Sequence, residues 1–278
     1  MRTVRTTIDL IRNELREIPD AQSEAELIVA HVLGFSRAAV LVHSEKALSV
    51  LDERRCMRLA RKRARGYALA VVFGYREFYG MRFLVTKDTL VPRPETELLV
   101  ELTLRELHVR STASILDVGT GCGNIIIAIA KSVPDARRFS FFASDISRRA
   151  LSVARENARQ KHTAIHFLSS NLLERLQTRR FDIIVANLPY LATHELSEPS
   201  IAREPKMALH GGEKGLELYE KFITALPHVI EPHGVIFIEI SPVIAAELEA
   251  FCQNFIPAAR RRVHPDLSGK ARVLELRI

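Results

Sequence analysis

The stretch Asp117-Val118-Gly119-Thr120-Gly121-Cys122-Gly123 decides the reading of this chain. An apolar run ending at Leu116 precedes it and the run 125–130 follows, so it lies between a strand and a helix. Glycines there permit a tight turn and let backbone come close to a ligand. The spacing selects the ligand class. A dinucleotide fingerprint, G-x-G-x-x-G, would need glycine at 124, where the chain has Asn. No Gly-Lys-Ser/Thr follows, which excludes a Walker phosphate loop. What remains is G-x-G-x-G behind an acid, Asp117. A second acid, Asp145, ends the next strand, where a carboxylate accepts the two hydroxyls of a ribose. Read alone, the glycines are a tight turn and Asp145 a helix N-cap; together they indicate a nucleoside site.

Working outward, strands are expected over 115–118, 139–144, 165–168, 181–186 and 235–240, with helices over 124–131 and 149–160. Such alternation implies a parallel sheet with helices on both faces. Residues 261–264 and 272–278 flank the turn signal Ser268-Gly269, which predicts an antiparallel pair at the end of the sheet. Upstream the pattern differs. Ile8, Ile11, Leu15 and Ile18 form a helical stripe closed by Pro19. Ser23 followed by Glu26 reads as a capping box, and Gly34 as a left-handed helix end. Ser49 with Asp52 repeats the start signal, and Gly66 marks the end. A small all-α bundle is therefore expected over 1–75. Phe78, Gly80, Phe83 and Val85 suggest a β-hairpin linker over 76–92. It leads into the stiff connector Val91-Pro92-Arg93-Pro94-Glu95-Thr96-Glu97, where Pro94 suits the first turn of a helix.

The expected strand 181–186 ends in Asn187-Leu188-Pro189-Tyr190. In an open α/β sheet ligands lie beyond the carboxyl ends of the strands, so this tetrapeptide falls beside the glycine loop. The loop resembles the S-adenosylmethionine loop of class I methyltransferases. The tetrapeptide resembles the N-P-P-Y motif of methyltransferases acting on planar, conjugated nitrogen. An amide nitrogen attacks poorly because its lone pair is delocalised into the carbonyl. Two acceptors aimed at its N–H bonds, the Asn187 side-chain oxygen and the carbonyl of Leu188, orient it and favour charge developing there. Tyr190 offers a flat face to the planar group. Leu188 stands where the family usually has proline, yet a backbone carbonyl is still available and Pro189 keeps residue 188 extended. Asn-Leu-Pro-Tyr is also similar to the motif of rRNA adenine dimethyltransferases, so the tetrapeptide alone leaves the substrate open.

The wider chain narrows it. Phe73-Gly74, Glu77-Phe78, the Pro-Arg-Pro-Glu-Thr connector, the glycine loop, Asn187 to Tyr190, Glu204-Pro205, Ala208-Leu209, Gly211-Gly212 and Gly215-Leu216 occur in that order. Together they resemble the bacterial glutamine methyltransferases of peptide chain release factors, over nearly the whole length. The resemblance implies a Rossmann-like α/β fold with a seven-stranded, mostly parallel sheet and an antiparallel last strand. It implies a release-factor-docking domain at 1–75, the hairpin at 76–92 and a methyltransferase domain at 93–278. The reaction implied is methylation of the glutamine side-chain nitrogen in Gly-Gly-Gln, with S-adenosylmethionine as cofactor and no metal. Carried over by position, Asp117, Gly119, Thr120, Gly121, Cys122, Gly123, Asp145, Asn171, Leu172 and Asn187 bind the cofactor. Asn187, Leu188, Pro189 and Tyr190 frame the glutamine and are the catalytic candidates. Asn171 stands where an acid is frequent, so only its amide oxygen could accept from the adenine amine. Glu239 is a strand-end acid without an assigned role, and the turn 93–96 is placed to cover the site.

Three alternatives stay open: a glutamine methyltransferase of a ribosomal protein, an RNA or DNA adenine methyltransferase, and a non-catalytic binding module. The ribosomal-protein paralogue usually has Pro-Arg-Ser in the connector. The adenine enzymes would explain the tetrapeptide and the basic run, but not the connector or the bundle.

Composition agrees with a folded enzyme. Hydrophobic residues are 47% and charged residues 26% of 278, which excludes disordered and collagen-like chains. No apolar run approaches the roughly 20 residues that span a bilayer. Asp9 and Glu14 interrupt the N-terminal stretch, so neither a secretory nor a mitochondrial leader is expected. Cys56, Cys122 and Cys252 lack paired spacing, so a reduced, cytoplasmic setting is expected. The net charge of +7 is uneven: residues 54–65 hold seven cations and no acid. That run is read as the solvated side of a helix, without sequence-specific nucleic-acid contacts. A monomer is expected.

Overall fold

The structure, a computed structural model, describes residues 1–197, 201 and 203–278. It divides into two compact units, Met1–Gly74 and Tyr75–Ile278.

The first unit is helical: α1 (Val4–Glu14), α2 (Ala21–Leu33), α3 (Arg37–Val42), α4 (Val50–Ala64) and α5 (Leu69–Phe73). Ile8, Ile11 and Leu15 pack with Ile28, Val29, Cys56 and Ala60 in one core. Ser49 caps α4 as expected, its hydroxyl accepting from the Asp52 amide at 3.1 Å. Gly34 ends α2 in the left-handed conformation. Ser23 is not the cap of α2. That helix starts at Ala21, because Glu26 does not fold back to a capping position. Its buried carboxylate instead accepts from Gln22 at 2.7 Å and from Arg37 at 2.6 Å. The basic run lies on α4, and two of its cations turn inward. Arg63 grips Glu24 in a bidentate pair at 2.6 and 2.9 Å, and Lys62 donates to the Val71 carbonyl.

The second unit opens with the hairpin β1 (Tyr75–Phe78) and β2 (Met81–Leu84). Then follow α6 (Glu97–His108), β3 (Ala113–Val118), α7 (Asn124–Ser132), β4 (Phe139–Asp145), α8 (Arg148–Gln160), β5 (His166–Ser169) and β6 (Phe181–Ala186). The short pair β7 (Leu191–Ala192) and β8 (His210–Gly212) precedes α9 (Glu217–Ala225), β9 (Ile230–Glu239), α10 (Ala245–Phe255), β10 (Arg260–Pro265) and β11 (Ala271–Arg277).

The main sheet has seven strands in the order β10-β11-β9-β6-β3-β4-β5. β3, β4, β5, β6 and β9 run parallel. β11 alone is reversed, antiparallel to both β9 and β10. Leu116, Ile184, Ile236 and Leu274 point to one face and pack on Tyr219, Phe222 and Leu248 of α9 and α10. The intervening residues Ile115, Ile183, Val185 and Phe237 face the other way and are equally buried. From β3 the chain winds outward to β4 and β5, then returns to place β6 on the opposite side of β3. The order therefore reverses between β3 and β6, and the crevice opens beyond their carboxyl ends.

Candidate active site

Both sequence motifs meet at that reversal. The glycine loop leaves β3, and Asn187 to Tyr190 leave the neighbouring β6. The amides of Gly119 and Thr120 both donate to the Ser144 carbonyl at 2.9 Å, which folds the loop back over β4. Gly119, at φ +74°, faces the tetrapeptide. A side chain there would stand 3.6 Å from the Asn187 carbonyl oxygen in a backbone conformation that L residues rarely adopt. Gly123, at φ +83°, lets α7 start against α8, where an added Cβ would come within 3.2 Å of the Ala154 methyl.

Of the predicted cofactor residues, Asp117 to Gly123, Asp145 and Asn187 lie in or beside this loop, while Asn171 and Leu172 follow β5, two strands from β3. Asp117 is wholly buried beneath it. Its Oδ2 accepts from the Thr120 hydroxyl at 2.6 Å, while its Oδ1 has no protein partner. Burial pushes this carboxyl up to about 7, opposed by Thr120 and reinforced by the charge of Asp145. An unpaired buried oxygen is the kind of atom that a ligand's ammonium group, or a water bridging to it, satisfies. Asp145 is not the cap of α8; Ser147 is, accepting from the Ala150 amide. Instead Asp145 ties the loop to β4, accepting from the Gly121 amide at 2.9 Å and from Ser147 at 2.8 Å. Each of its oxygens keeps lone-pair capacity for a hydroxyl. Thr120 and Cys122 are buried, their side chains turned to Asp117 and Asn124. Asn171 donates its Nδ2 to Glu174 at 2.6 Å, which leaves its oxygen as the free acceptor. Leu172 sits half-buried at φ +45° beside the sheet core. Asp117, Asp145 and the loop fit an adenosyl group bearing a cationic tail.

On the other side of the crevice is a cavity of about 270 Å³. Arg93, Glu95, Asn187, Tyr190, Glu195 and Glu239 supply its polar lining. Asn187 donates Nδ2 to the Thr96 hydroxyl at 3.2 Å, leaving Oδ1 free to accept. Leu188 is buried and its carbonyl accepts from the Tyr219 hydroxyl at 3.1 Å. That hydroxyl also lies 3.0 Å from the Glu239 carbonyl. A carbonyl oxygen has two lone pairs, so Leu188 retains one for a second donor. Tyr190 is half-buried, and burial holds its phenol above the usual range.

Two contacts between segments remote in sequence support this pocket. Arg93 of the connector pairs with Glu204 at 2.5 Å, so Pro-Arg-Pro-Glu-Thr and Glu204-Pro205 are two halves of one wall. The 211–215 segment packs on the tetrapeptide. A Cβ at Gly215 would fall 2.3 Å from the Tyr190 carbonyl oxygen, and one at Gly211 would fall 2.6 Å from that of Pro189.

The sequence reading has Thr96 only in a turn that covers the site, not bonded to Asn187, and it misses Tyr219 and Asn157. Asn157 is wholly buried on α8. It accepts from the Leu84 amide and donates to the carbonyls of Leu84 and Cys122, clamping the hairpin to the glycine loop. Its signal is a lone amide within the apolar stripe Ala150, Leu151, Val153, Ala154 and Ala158. Tyr219 carries no such signal, because a tyrosine on an apolar helix face looks like core.

Comparison with known proteins matches two families. Residues 95–248 match the methyltransferase small domain and residues 7–74 the PrmC N-terminal domain. A release factor glutamine methyltransferase from Deinococcus radiodurans is 33% identical over 94% of this chain and 92% of that protein. Its counterpart from Burkholderia pseudomallei is 36% identical over 81% of each. The chain belongs to the release factor glutamine methyltransferase family. Membership accounts for the pairing of a helical first unit with a methyltransferase sheet. The fold is shared more widely. A methyltransferase from Pyrococcus furiosus, 15% identical, superimposes with a TM-score of 0.52 over 71% of this chain and 89% of that one. Like the other members, this chain is a methyltransferase. No helix among its described residues is long and apolar enough to cross a membrane.

Proposed function

We propose that this chain methylates the side-chain amide nitrogen of the glutamine in the Gly-Gly-Gln motif of peptide chain release factors, with S-adenosylmethionine as donor. The observation that carries the reading is the pair of acceptors on consecutive residues. The free Oδ1 of Asn187 and the remaining lone pair of the Leu188 carbonyl stand at the edge of the cavity, next to the glycine loop. A primary amide has two N–H bonds, and two acceptors fix its plane. S-adenosylmethionine, when bound, supplies a methyl group on a positively charged sulfur. Asp145 and the loop would hold its ribose, and Asp117 its cationic tail, directly or through water. Leu172 and the Asn171 oxygen would meet the adenine.

Asn187 and Leu188 accept from the glutamine amide, and this strengthens as positive charge develops on nitrogen. With that donor bound, the methyl would pass from sulfur to this nitrogen, and water would take the proton the nitrogen gives up. Tyr190 covers the planar amide. The apolar wall of Leu90, Leu191 and Leu209 limits the water around it. The first unit would dock the release factor, and the exposed cations of α4 contribute only nonspecific attraction.

The test offers labelled S-adenosylmethionine with a purified release factor and, in parallel, ribosomal RNA. Label on the release factor, abolished when the Gly-Gly-Gln glutamine is replaced by a residue without an amide, is the expected result. Label on RNA with the release factor untouched would refute it.

A further inference from the structure

The connector residue Thr96 and the strand-end acid Glu239 converge on Asn187. Thr96 closes the turn that Pro94 opens, and it is buried, with 2% of its surface exposed. Its hydroxyl accepts from Asn187 Nδ2. Glu239 ends β9, the strand beside β6, and is 1% exposed. Its carboxyl faces both Thr96 and Asn187 and lines the cavity, and its Oε2 has no hydrogen-bond partner. Resting on the function proposed above, we infer that Thr96 and Glu239 are positioning residues. They fix which way the Asn187 amide faces and so aim its oxygen at the substrate nitrogen.

The logic lies in the donor inventory. An amide presents an oxygen or a nitrogen, and the two are nearly the same size. Asn187 can donate to the Thr96 oxygen only while the Thr96 proton points elsewhere. A charged carboxylate accepts and cannot donate, so Glu239 in that state draws the Thr96 proton to itself. The Thr96 oxygen is then left to receive Asn187 Nδ2, and Oδ1 is turned away to accept. A protonated Glu239 can donate to Thr96 instead. The Thr96 proton is then free to serve Asn187 Oδ1, and the amide loses its preference.

Other titratable and charged groups face Glu239 from the neighbouring elements. Glu95 approaches from the connector, Arg272 from β11, and the phenols of Tyr190 and Tyr219 from the tetrapeptide and α9. Arg93 lines the same cavity. Burial lifts the Glu239 carboxyl to about 7, opposed by Thr96, Arg272 and Asn187 and aided by Glu95. The aligning state therefore prevails above neutrality and is lost below it.

The test measures kcat, KM and cofactor affinity for methylation of a release factor between pH 6 and 8.5. The wild type is expected to rise in kcat through about pH 7 and then level. Thr96→Val should lower kcat about 5- to 10-fold, roughly the worth of one aligned hydrogen bond, with cofactor affinity retained. Thr96→Ser should recover most of the loss. Glu239→Gln should flatten the rise, because its amide does not titrate. Thr96→Val at wild-type kcat, or Glu239→Gln keeping the wild-type pH profile, would overturn the inference. Loss of all activity in Glu239→Gln beside a normal Thr96→Val would also overturn it, in favour of a proton acceptor at Glu239. A wild type that leaves the release factor unmethylated would instead remove the function on which the inference rests.

Discussion

Tyr219 holds the Leu188 carbonyl from behind, and this bears on the residue at which the tetrapeptide departs from its family's usual motif. Proline at 188 would stiffen the backbone by its ring. Here leucine leaves that task to Pro189 and to the Tyr219 hydroxyl, which sits 3.1 Å from the Leu188 oxygen. Tyr219→Phe should therefore lower kcat more than it lowers cofactor affinity. It should also cost about 1 kcal/mol of stability, since the single proton that the two buried carbonyls share is lost. Steady-state kinetics with a denaturant titration check both parts; unchanged kcat would show that Pro189 alone suffices. Thr96, Tyr219 and Glu204 show why part of the site cannot be read from sequence. Their partners lie 91, 31 and 111 residues away. Gly119 and Pro189 are legible because their effect is on their own backbone. The glycine is needed for its φ, and the proline acts on the residue before it.

At the scale of elements, the strand–turn–helix unit β3 to α7 and the tetrapeptide after β6 carry the site, and both are visible as local patterns. The Gly211 to Gly215 segment is different. Its glycines look like an ordinary loop until the fold lays them against Pro189 and Tyr190. Gly215→Ala places a methyl 2.3 Å from the Tyr190 carbonyl in a left-handed conformation, φ +81°. The left-handed strain alone costs about 1–2 kcal/mol, and the clash must displace backbone. We expect methyl transfer to fall at least tenfold while cofactor binding, on the far side of the crevice, is largely kept. Calorimetric titration of the cofactor beside an activity assay separates the two; equal loss of both would mean that the segment supports the whole site. The failed reading of Ser23 as a helix cap has a related cause. The capping box needs a free Glu26 side chain, and tertiary structure uses that carboxylate for Arg37.

Across the whole molecule, the crevice places two buried carboxyls, Asp117 and Glu239, both lifted to about 7 by burial. In the unfolded chain each ionises near 4, so between about pH 4 and pH 7 the folded state retains protons that the unfolded state has released. Stability then falls as pH rises through that window and is flat above it. Thermal unfolding without cofactor should show Tm declining from pH 5 to pH 7.5, and Asp117→Asn should remove part of the decline. A Tm that rises over this range in proportion to the loss of these protons would contradict the burial assigned to them. The sheet order is legible in outline, since alternating strands and helices admit few topologies. The division of labour between Asp145 and Ser147 is not, because either could cap α8 and only packing decides. The most direct measurement is tandem mass spectrometry of a release factor after reaction with S-adenosylmethionine, comparing the wild type with Asn187→Ala. One methyl group on the Gly-Gly-Gln glutamine with the wild type, and at least a hundredfold less with a variant that still binds cofactor, is the expected result. Methylation of that glutamine by Asn187→Ala at close to the wild-type rate would contradict the role given to the paired acceptors.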